Sequence, residues 1–313
     1  MTGKAAISTT MGAADWSLLI LLSVLWGATY FFVAVAVDFY TPLVIVLARV
    51  GLAALALNVL LLAMRIPITR SVSVWGAFFV MGILNNLIPF TLMTWGQTHI
   101  AGGLTAILNA STPLFAVIVA HFFTEDEKLA VGRIAGLAIG FGGVVMLVGV
   151  SALQELGSEA IAQLAVVCGA LSFALAGVFG RRFQRLGLNP IMTATGQLTA
   201  STVLFIPVTL LFGGPWVIAE SSLGSIASLI GLAVLSTAIA YIVYFRLLAS
   251  AGAVNMLLVT MLLPVTAILL GVTILDEVLA PRHIGGMGLI VLGLAAMDGR
   301  PARYIYAALG LRS

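Results

Sequence analysis

Charged side chains are scarce in this chain: only 8% of its 313 residues are Asp, Glu, Lys or Arg, whereas 62% are hydrophobic. A soluble domain has about 25% charged and about 45–50% apolar residues, so the composition excludes an ordinary soluble protein. The mean hydropathy of +1.20 agrees with this conclusion. We therefore expect the protein to lie in a lipid bilayer.

Residues that usually carry catalysis are rare as well. The single cysteine, Cys168, excludes an intramolecular disulfide and a cysteine-based zinc site, and we expect it to pack in the core. The three histidines form no H-E-x-x-H motif and no G-x-S-x-G elbow occurs, which disfavours a zinc protease and a serine hydrolase. The sequence contains no basic cluster interleaved with aromatic residues, so we expect no nucleic-acid partner. We predict no catalytic residue, metal or cofactor.

Long apolar runs dominate the chain instead. A transmembrane helix needs about 20 apolar residues and a barrel strand only about 10 in strict alternation, so these continuous runs predict helices. The 33 glycines suit helices that pack closely in lipid. Hydropathy and the flanking Pro, Gly, Asn and charged residues predict ten spans. Their approximate limits are 17–37, 42–64, 74–96, 101–123, 131–150, 161–180, 190–212, 223–246, 253–275 and 282–298.

The 14 Lys and Arg residues predict the orientation, because short cytoplasmic loops hold the excess of positive charge. With the N-terminus inside, twelve of them are cytoplasmic, Arg282 alone is outside, and Arg49 lies within a span. We therefore expect a multi-pass protein of the inner (plasma) membrane with both termini in the cytoplasm. The first apolar run is longer than that of a signal peptide, so we expect this span to be retained.

Two stretches resemble each other at a distance of about half the chain. Residues 101–143 and 251–293 both run from Ala-Gly through an apolar span with a proline to an Asp-Glu pair and a glycine-rich span. Such a period indicates duplication. Five spans per copy is an odd number, so the halves are antiparallel, as in many secondary transporters. We predict a first repeat over residues 1–150, an inverted repeat over 151–299 and a cytoplasmic tail over 300–313.

Three features of the sequence together resemble a known family. They are the opening LWGATYFFVAVAV, the P-x6-R spacing of Pro42 and Arg49, and the twice-seen proline, Asp-Glu and glycine-rich pattern. These features resemble the EamA-type ten-helix exporters of the drug/metabolite transporter superfamily, among them the YddG-like exporters of aromatic and other neutral amino acids. The resemblance implies ten helices around a central cavity, alternating access and export of small metabolites. The second repeat departs from the first, since Gln197 stands where the first has Arg49.

Polar residues inside the spans are the candidates for a binding site, because an unpartnered polar group is costly in lipid. Asn85 and Asn86 closely precede Pro89, which frees a backbone carbonyl at the same depth. Ser236 and Thr237 have the corresponding place in the eighth span. Each candidate alone could be a helix contact only, and the hypothesis is that the set lines an amphipathic cavity. The predicted substrate-binding residues are Trp26, Tyr30, Asn85, Asn86, Asn109, Ser111, Ser172, Ser236, Tyr241, Tyr244 and Thr260.

Charged residues near or inside the spans allow two kinds of role. Arg49 is the only basic residue well inside a span, and either a structural contact or a direct substrate contact is open for it. The acidic pairs Asp126-Glu127 and Asp276-Glu277 lie between spans. We expect them to cap the free amides at the start of the next helix rather than to relay protons.

Gly132, Gly136 and Gly140 recur at every fourth residue of the fifth span, which predicts a close-packing face. Its partner is either the tenth span or a second protomer, so monomer and homodimer both stay open.

These observations together predict an all-α membrane protein with ten transmembrane helices in two inverted five-helix repeats around a central cavity. Its predicted function is that of a secondary transporter that exports small amphipathic metabolites, with aromatic and neutral amino acids as the favoured cargo. Its predicted partners are the small-molecule substrate and the bilayer. The alternatives are an importer of small metabolites, a membrane enzyme that acts on a lipid-linked substrate, and a scaffold that transports nothing. The enzyme would need a convergent set of acids, bases or metal ligands, which the sequence lacks.

Overall fold

Helices form all the regular structure that the computed structural model describes, which covers residues 12–123, 131–148, 158–213, 222–244, 246–247 and 258–298. The prediction of an all-α protein is confirmed. We number the helices α1 to α10 in chain order. They are α1 Ala13–Ala36, α2 Pro42–Ala63, α3 Val72–Gly96, α4 Gly102–Phe123, α5 Val131–Val148, α6 Ser158–Arg185, α7 Pro190–Phe212, α8 Leu223–Tyr244, α9 Leu258–Ile274 and α10 Pro281–Asp298.

The length and apolar character of these helices suit a bilayer. Seven of them, α1 to α4 and α6 to α8, are long and apolar enough to cross a membrane. The described parts of α5, α9 and α10 have 18, 17 and 18 residues. Many large side chains on the outside are apolar, for example Leu55 and Leu211. A lipid environment accepts such a surface, whereas water would not.

Helix contacts repeat with the two halves exchanged. Helix α1 packs against α8 and α9, and its counterpart α6 packs against α3 and α4. In the same way α2 packs against α8, and its counterpart α7 packs against α3. The pairs α2–α7, α4–α9 and α5–α10 join each helix to its own counterpart. This arrangement is that of two inverted five-helix repeats related by a pseudo-two-fold axis.

Corresponding helices also begin in the same way. Pro42 and Pro190 occupy the first positions of α2 and α7, where the missing N–H of proline has no intrahelical partner to lose. Ser71 caps α3 by accepting from the Val74 amide, and Ser222 caps α8 by accepting from the Ser225 amide. Both repeats therefore use the same local signals at these positions.

Glycines allow α5 and α10 to touch along their backbones. A Cβ atom added at Gly293 would lie 2.5 Å from the Gly140 nitrogen and 2.6 Å from the Gly136 oxygen. One added at Gly143 would lie 2.6 Å from the Gly286 oxygen. The partner of the predicted glycine face is therefore α10, the tenth span of the same chain. The contacts of Gly132 lie outside the described part of the structure.

Glu277 caps the start of a helix, as predicted, but the helix is not the predicted one. Its carboxylate accepts hydrogen bonds from the amides of Gly102 at 2.8 Å and Gly103 at 3.0 Å. These amides begin α4 in the other half, whereas the prediction was the next helix, α10. Without Cβ atoms the two glycines leave room for the carboxylate. Asp126 and Glu127 lie outside the described residues.

Two further details differ from the sequence prediction. Cys168 is exposed on α6 and does not pack in the core, because it shares a helix face with the exposed Leu164 and Leu171. Helix α6 runs to Arg185, five residues beyond the predicted limit at residue 180, and so includes Arg181, Arg182 and Arg185. Basic side chains in a last helical turn interact favourably with the helix dipole, which explains the extension.

We expect Gly293→Ala to lower the free energy of unfolding by about 1–3 kcal/mol, because the added methyl group must push the α5 backbone away. Gly288→Ala on the same helix is the matched control, since nothing lies within 4 Å of a Cβ atom there. That control should be neutral or slightly stabilising through the better helix propensity of alanine. Thermal unfolding in detergent micelles measures both variants, and equal melting temperatures would contradict the close contact.

Candidate substrate site

A π-helical turn interrupts α3 and another interrupts α8 at the corresponding place. They span Ile83–Leu87 and Val234–Ile239. The first contains Asn85 and Asn86, and the second contains Ser236 and Thr237. Single π turns inside α-helices occur frequently at functional sites. The polar pairs singled out from the sequence therefore lie in an irregular stretch of helix in each half.

Pro89 explains part of the irregular backbone in α3. The Ile88 amide donates to the Ile83 oxygen, five residues back, so the next residue in this pattern would donate to the Leu84 oxygen. Residue 89 is a proline and has no N–H to donate. The Ser172 hydroxyl on α6 donates to the Leu84 carbonyl instead, at 2.7 Å. A side chain thus supplies the hydrogen bond that the backbone lacks, as a lipid-embedded helix requires.

Pro113 has a similar effect in α4, which is interrupted between Asn109 and Thr112. Proline removes the donor for the carbonyl four residues before it, here that of Asn109. The Thr112 hydroxyl donates to this carbonyl at 2.7 Å and also approaches the Asn109 Oδ1 at 3.0 Å. The hydroxyl again replaces a missing backbone amide.

The two asparagines of α3 are joined to the second half. Asn85 Nδ2 donates to the Tyr241 hydroxyl at 3.0 Å, and this hydroxyl donates to Asn86 Oδ1 at 3.4 Å. Asn86 Nδ2 donates to the Ser201 hydroxyl of α7 at 2.7 Å. Because Asn86, Ser201 and Tyr241 are buried, these bonds join α3, α7 and α8 in an environment of low dielectric constant, where hydrogen bonds are stronger than in water.

The π turn of α8 is joined to the first half through Arg49 of α2. Arg49 Nε donates to the Thr237 hydroxyl at 2.9 Å, and Thr237 donates to the Leu232 carbonyl at 2.8 Å. The Arg49 guanidinium carbon lies 3.7 Å from the centre of the Phe90 ring. Arg49 is only 7% exposed. A neutral hydroxyl and an aromatic face thus surround a full positive charge.

A second polar group surrounds Tyr30 of α1. Asn109 Nδ2 donates to the Tyr30 hydroxyl at 2.8 Å, and Gln97 Nε2 donates to the Tyr30 carbonyl at 2.8 Å. Tyr30 and Tyr241 both interact electrostatically with Arg49 over a longer range than a hydrogen bond. The Tyr30 group and the asparagine group are therefore linked to the same arginine through its charge.

Aromatic rings adjoin these polar groups. The Trp26 and Tyr244 rings have centroids 5.6 Å apart, and those of Tyr244 and Tyr241 are 6.2 Å apart. Phe90 contacts Phe173 edge to face at 6.0 Å. Aromatic pairs at these separations are favourable arrangements. We call Arg49, Thr237 and the residues bonded or stacked around them the central cluster. Its further members are Trp26, Tyr30, Asn85, Asn86, Phe90, Asn109, Ser201, Tyr241 and Tyr244.

Of the other four predicted residues, the three whose side chains are described make no hydrogen bond to a member of the central cluster. Ser172 bonds the Leu84 carbonyl, and Ser111 bonds the Leu108 carbonyl of its own helix at 2.6 Å. The buried Ser236 hydroxyl has no hydrogen-bond partner in the described ranges. Thr260 lies on α9, and its side chain is outside the described residues.

Several members of the central cluster are missing from the predicted set. They are Arg49, Thr237, Ser201 and Phe90. Arg49 is unusual in the sequence as a basic residue inside a span, but its depth alone leaves a structural role open. Ser201 could have been found, because it lies four residues after Gln197 and thus on the same helix face. Phe90 carries no sequence signal beyond its place next to Pro89.

The family of the chain follows from a repeated match. The EamA-like transporter family matches residues 16–149 and again residues 160–297. The chain belongs to the EamA-like transporter family. In this EamA protein each match contains one π turn, and the central cluster lies between the two matched parts.

Relatives of this EamA protein carry transporter names. It is 25% identical to the uncharacterized transporter YoaV of Bacillus subtilis over 88% of this chain and 94% of that protein. It is 26% identical to the uncharacterized inner membrane transporter YedA of Escherichia coli K12 over 92% of this chain and 90% of that protein. A probable terminal-alkyne amino-acid exporter of Streptantibioticus cattleyicolor is 24% identical to this chain, over 93% of this chain and 95% of that protein. A protein of known crystal structure superposes with a TM-score of 0.65 at 18% identity, covers 91% of this chain and 97% of its own, and supports the fold alone.

Ser172→Ala should lower the free energy of unfolding by about 1–3 kcal/mol, because it leaves the Leu84 carbonyl without a donor in an apolar environment. In a Pro89→Ala background residue 89 regains an amide that can bond this carbonyl. The same serine substitution should then cost clearly less. A double-mutant cycle on thermal or denaturant unfolding in detergent measures the difference. Additive effects of the two substitutions would contradict the replacement of the proline amide by Ser172.

Proposed function

We propose that this EamA protein is a secondary transporter that exports small amphipathic metabolites by alternating access. Aromatic and other neutral amino acids are the class of cargo that we propose. The carrying observation is that the hydrogen bonds of the central cluster cross between the two halves. Asn85 and Asn86 bond Tyr241, and Arg49 bonds Thr237. Rocking of one repeat against the other around a fixed midplane site is the motion that inverted repeats allow.

The chemistry of the central cluster supports an amphipathic cargo. Trp26, Tyr241 and Tyr244 present aromatic surface, whereas Asn85 and Asn86 present amide groups. Binding sites for small molecules usually combine apolar walls with a few placed polar groups. The name of the amino-acid exporter from Streptantibioticus cattleyicolor supports amino acids as the class. In this proposal the remaining predicted residues Ser111, Ser172, Ser236 and Thr260 support or border the cavity.

The distribution of positive charge supports a cytoplasmic location for both termini. The name of the Escherichia coli relative supports the inner membrane. In this orientation the start of α2 is at the outer face, and Arg49 lies about 10 Å inward from Pro42 along the helix. The central cluster is then near the middle of the bilayer, where a site that opens alternately to both sides must lie.

Purified protein in liposomes should accumulate labelled phenylalanine or another neutral amino acid from a panel that also contains nucleosides and sugars. Asn86→Leu should reduce the initial rate about tenfold, because it removes both bonds to the second half. The matched control is Asn58→Leu, since Asn58 is also an intramembrane asparagine but bonds Thr199 and the Ala54 carbonyl outside the central cluster. If no panel member moves, with or without a pH gradient, transport of small solutes is ruled out.

Direction is tested in growing cells with p-fluorophenylalanine, a toxic analogue of phenylalanine. An exporter lowers the internal concentration, so cells that produce the protein should tolerate several times more analogue than cells that produce Asn86→Leu. If the protein is an importer, cells that produce it should be more sensitive to the analogue than cells with an empty vector. Immunoblots of membranes must show equal amounts of both proteins for the comparison to hold.

A further inference from the structure

Arg49 carries a charge that no carboxylate of the described residues neutralises. Its guanidinium is buried between α2, α3 and α8, and Thr237 is the only acceptor that it reaches among the residues the structure describes. No carboxylate of the described ranges lies within ion-pair distance of it. In the sequence, all 11 Asp and Glu residues fall at the ends of spans or between them. Within the part of the chain that the structure describes, the membrane-spanning region thus holds a cation that has no protein anion beside it.

An unneutralised charge at this place is costly unless something compensates for it. Burial of an ion removes water that a single hydroxyl and one aromatic ring replace only in part. Ionisable residues within membrane spans face cavities or partners and mark the paths of substrates or ions. The free-energy cost of burying this charge therefore indicates that an anion from outside the protein compensates for it.

The other half shows that helix packing at this position does not need a charge. Gln197 of α7 is the counterpart of Arg49 and is equally buried, at 1% exposure. It is neutral, and the adjoining Asn86–Ser201 bond still joins α3 to α7. If Arg49 only joined α2 to α8 through Thr237, a neutral donor could do the same. The charge itself thus requires another explanation than packing.

The geometry of the guanidinium is suitable for an anion. Arginine has five N–H donors in a planar fork that binds carboxylates through two parallel hydrogen bonds. Thr237 accepts from Nε and Phe90 covers one face, so both fix the position of the group. The two Nη nitrogens donate to no atom of the described part of the chain. They are the donors that a ligand carboxylate would use.

We propose that Arg49 binds the carboxylate of the cargo and restricts transport to small molecules that carry one. This inference rests on the proposed function, because it names the chemical class that the central cluster selects. An amino acid keeps its side chain against the aromatic rings while its carboxylate neutralises Arg49. An amide or a decarboxylated amine of the same shape leaves the charge unpaired and is rejected.

The test compares L-phenylalanine with L-phenylalaninamide, which has the same side chain but no carboxylate. In liposomes the amide should compete with labelled phenylalanine at least about 30-fold less well than unlabelled phenylalanine does, as expected for loss of a buried charge pair. Arg49→Gln should raise the KM for phenylalanine by a similar factor and abolish the preference over the amide. Arg49→Lys keeps the charge but not the fork, so it should retain part of the preference.

Arg182→Gln is the matched control. Arg182 also lies over an aromatic ring, 4.1 Å from the centre of Phe179, but it is exposed at the end of α6. Its substitution should change neither the KM nor the preference. Equal competition by the acid and the amide in the unmodified protein would overturn the proposal, and so would an unchanged KM in Arg49→Gln.

Melting temperatures in detergent separate this inference from the proposed function. Phenylalanine should raise the melting temperature of the unmodified protein, phenylalaninamide should not, and the difference should vanish in Arg49→Gln. This result supports the carboxylate site even if the liposomes accumulate no amino acid and the proposed function fails. If liposomes move phenylalanine but acid and amide stabilise equally, the function stands and the inference is wrong. If neither compound stabilises the protein and neither is transported, both are wrong.

Discussion

Every backbone amide and carbonyl inside a bilayer needs a hydrogen-bond partner within the protein, and the centre of this molecule is organised by that constraint. Pro89 and Pro113 each remove a backbone donor, and the π turns shift the helical pattern around Asn85 and Ser236. Side-chain hydroxyls supply the missing donors, as in the bonds from Ser172 and Thr112. Irregular backbone can therefore exist in the middle of the membrane, and it is there that the polar side chains of both halves meet.

The two halves have the same framework but differ at the centre. Their helices start at the same signals, pack in exchanged pairs and carry their π turns at the same place. In the first half α2 has Arg49 where α7 has Gln197, so only one side of the pseudo-two-fold axis is charged. A symmetric site would hold two equivalent groups. The single cation instead makes the central cluster asymmetric, because Arg49 of the first half bonds Thr237 of the second and the second half supplies no equivalent charge at Gln197.

Much of the fold could be predicted from the sequence, since hydropathy, positive charge and the repeat all depend on composition and spacing. The site was harder. Asn85, Asn86 and Tyr241 stood out because polar residues in apolar spans are rare, and they do lie together. Spacing could not show that Ser172 would be used by a carbonyl on another helix. Nor could it show that Glu277 caps a helix 174 to 175 residues away, because such contacts depend on how the two repeats dock.

The contact between Glu277 and the start of α4 has a consequence for how such a protein can arise. A polypeptide with only the first five helices would leave the Gly102 and Gly103 amides without the acceptor that they have here. A second copy could supply an equivalent acid only if it were inserted upside down beside the first. The covalent fusion of two oppositely inserted halves makes this acceptor available at a fixed one-to-one ratio. Each chain thereby carries its own antiparallel partner and does not depend on the chance orientation of a neighbour.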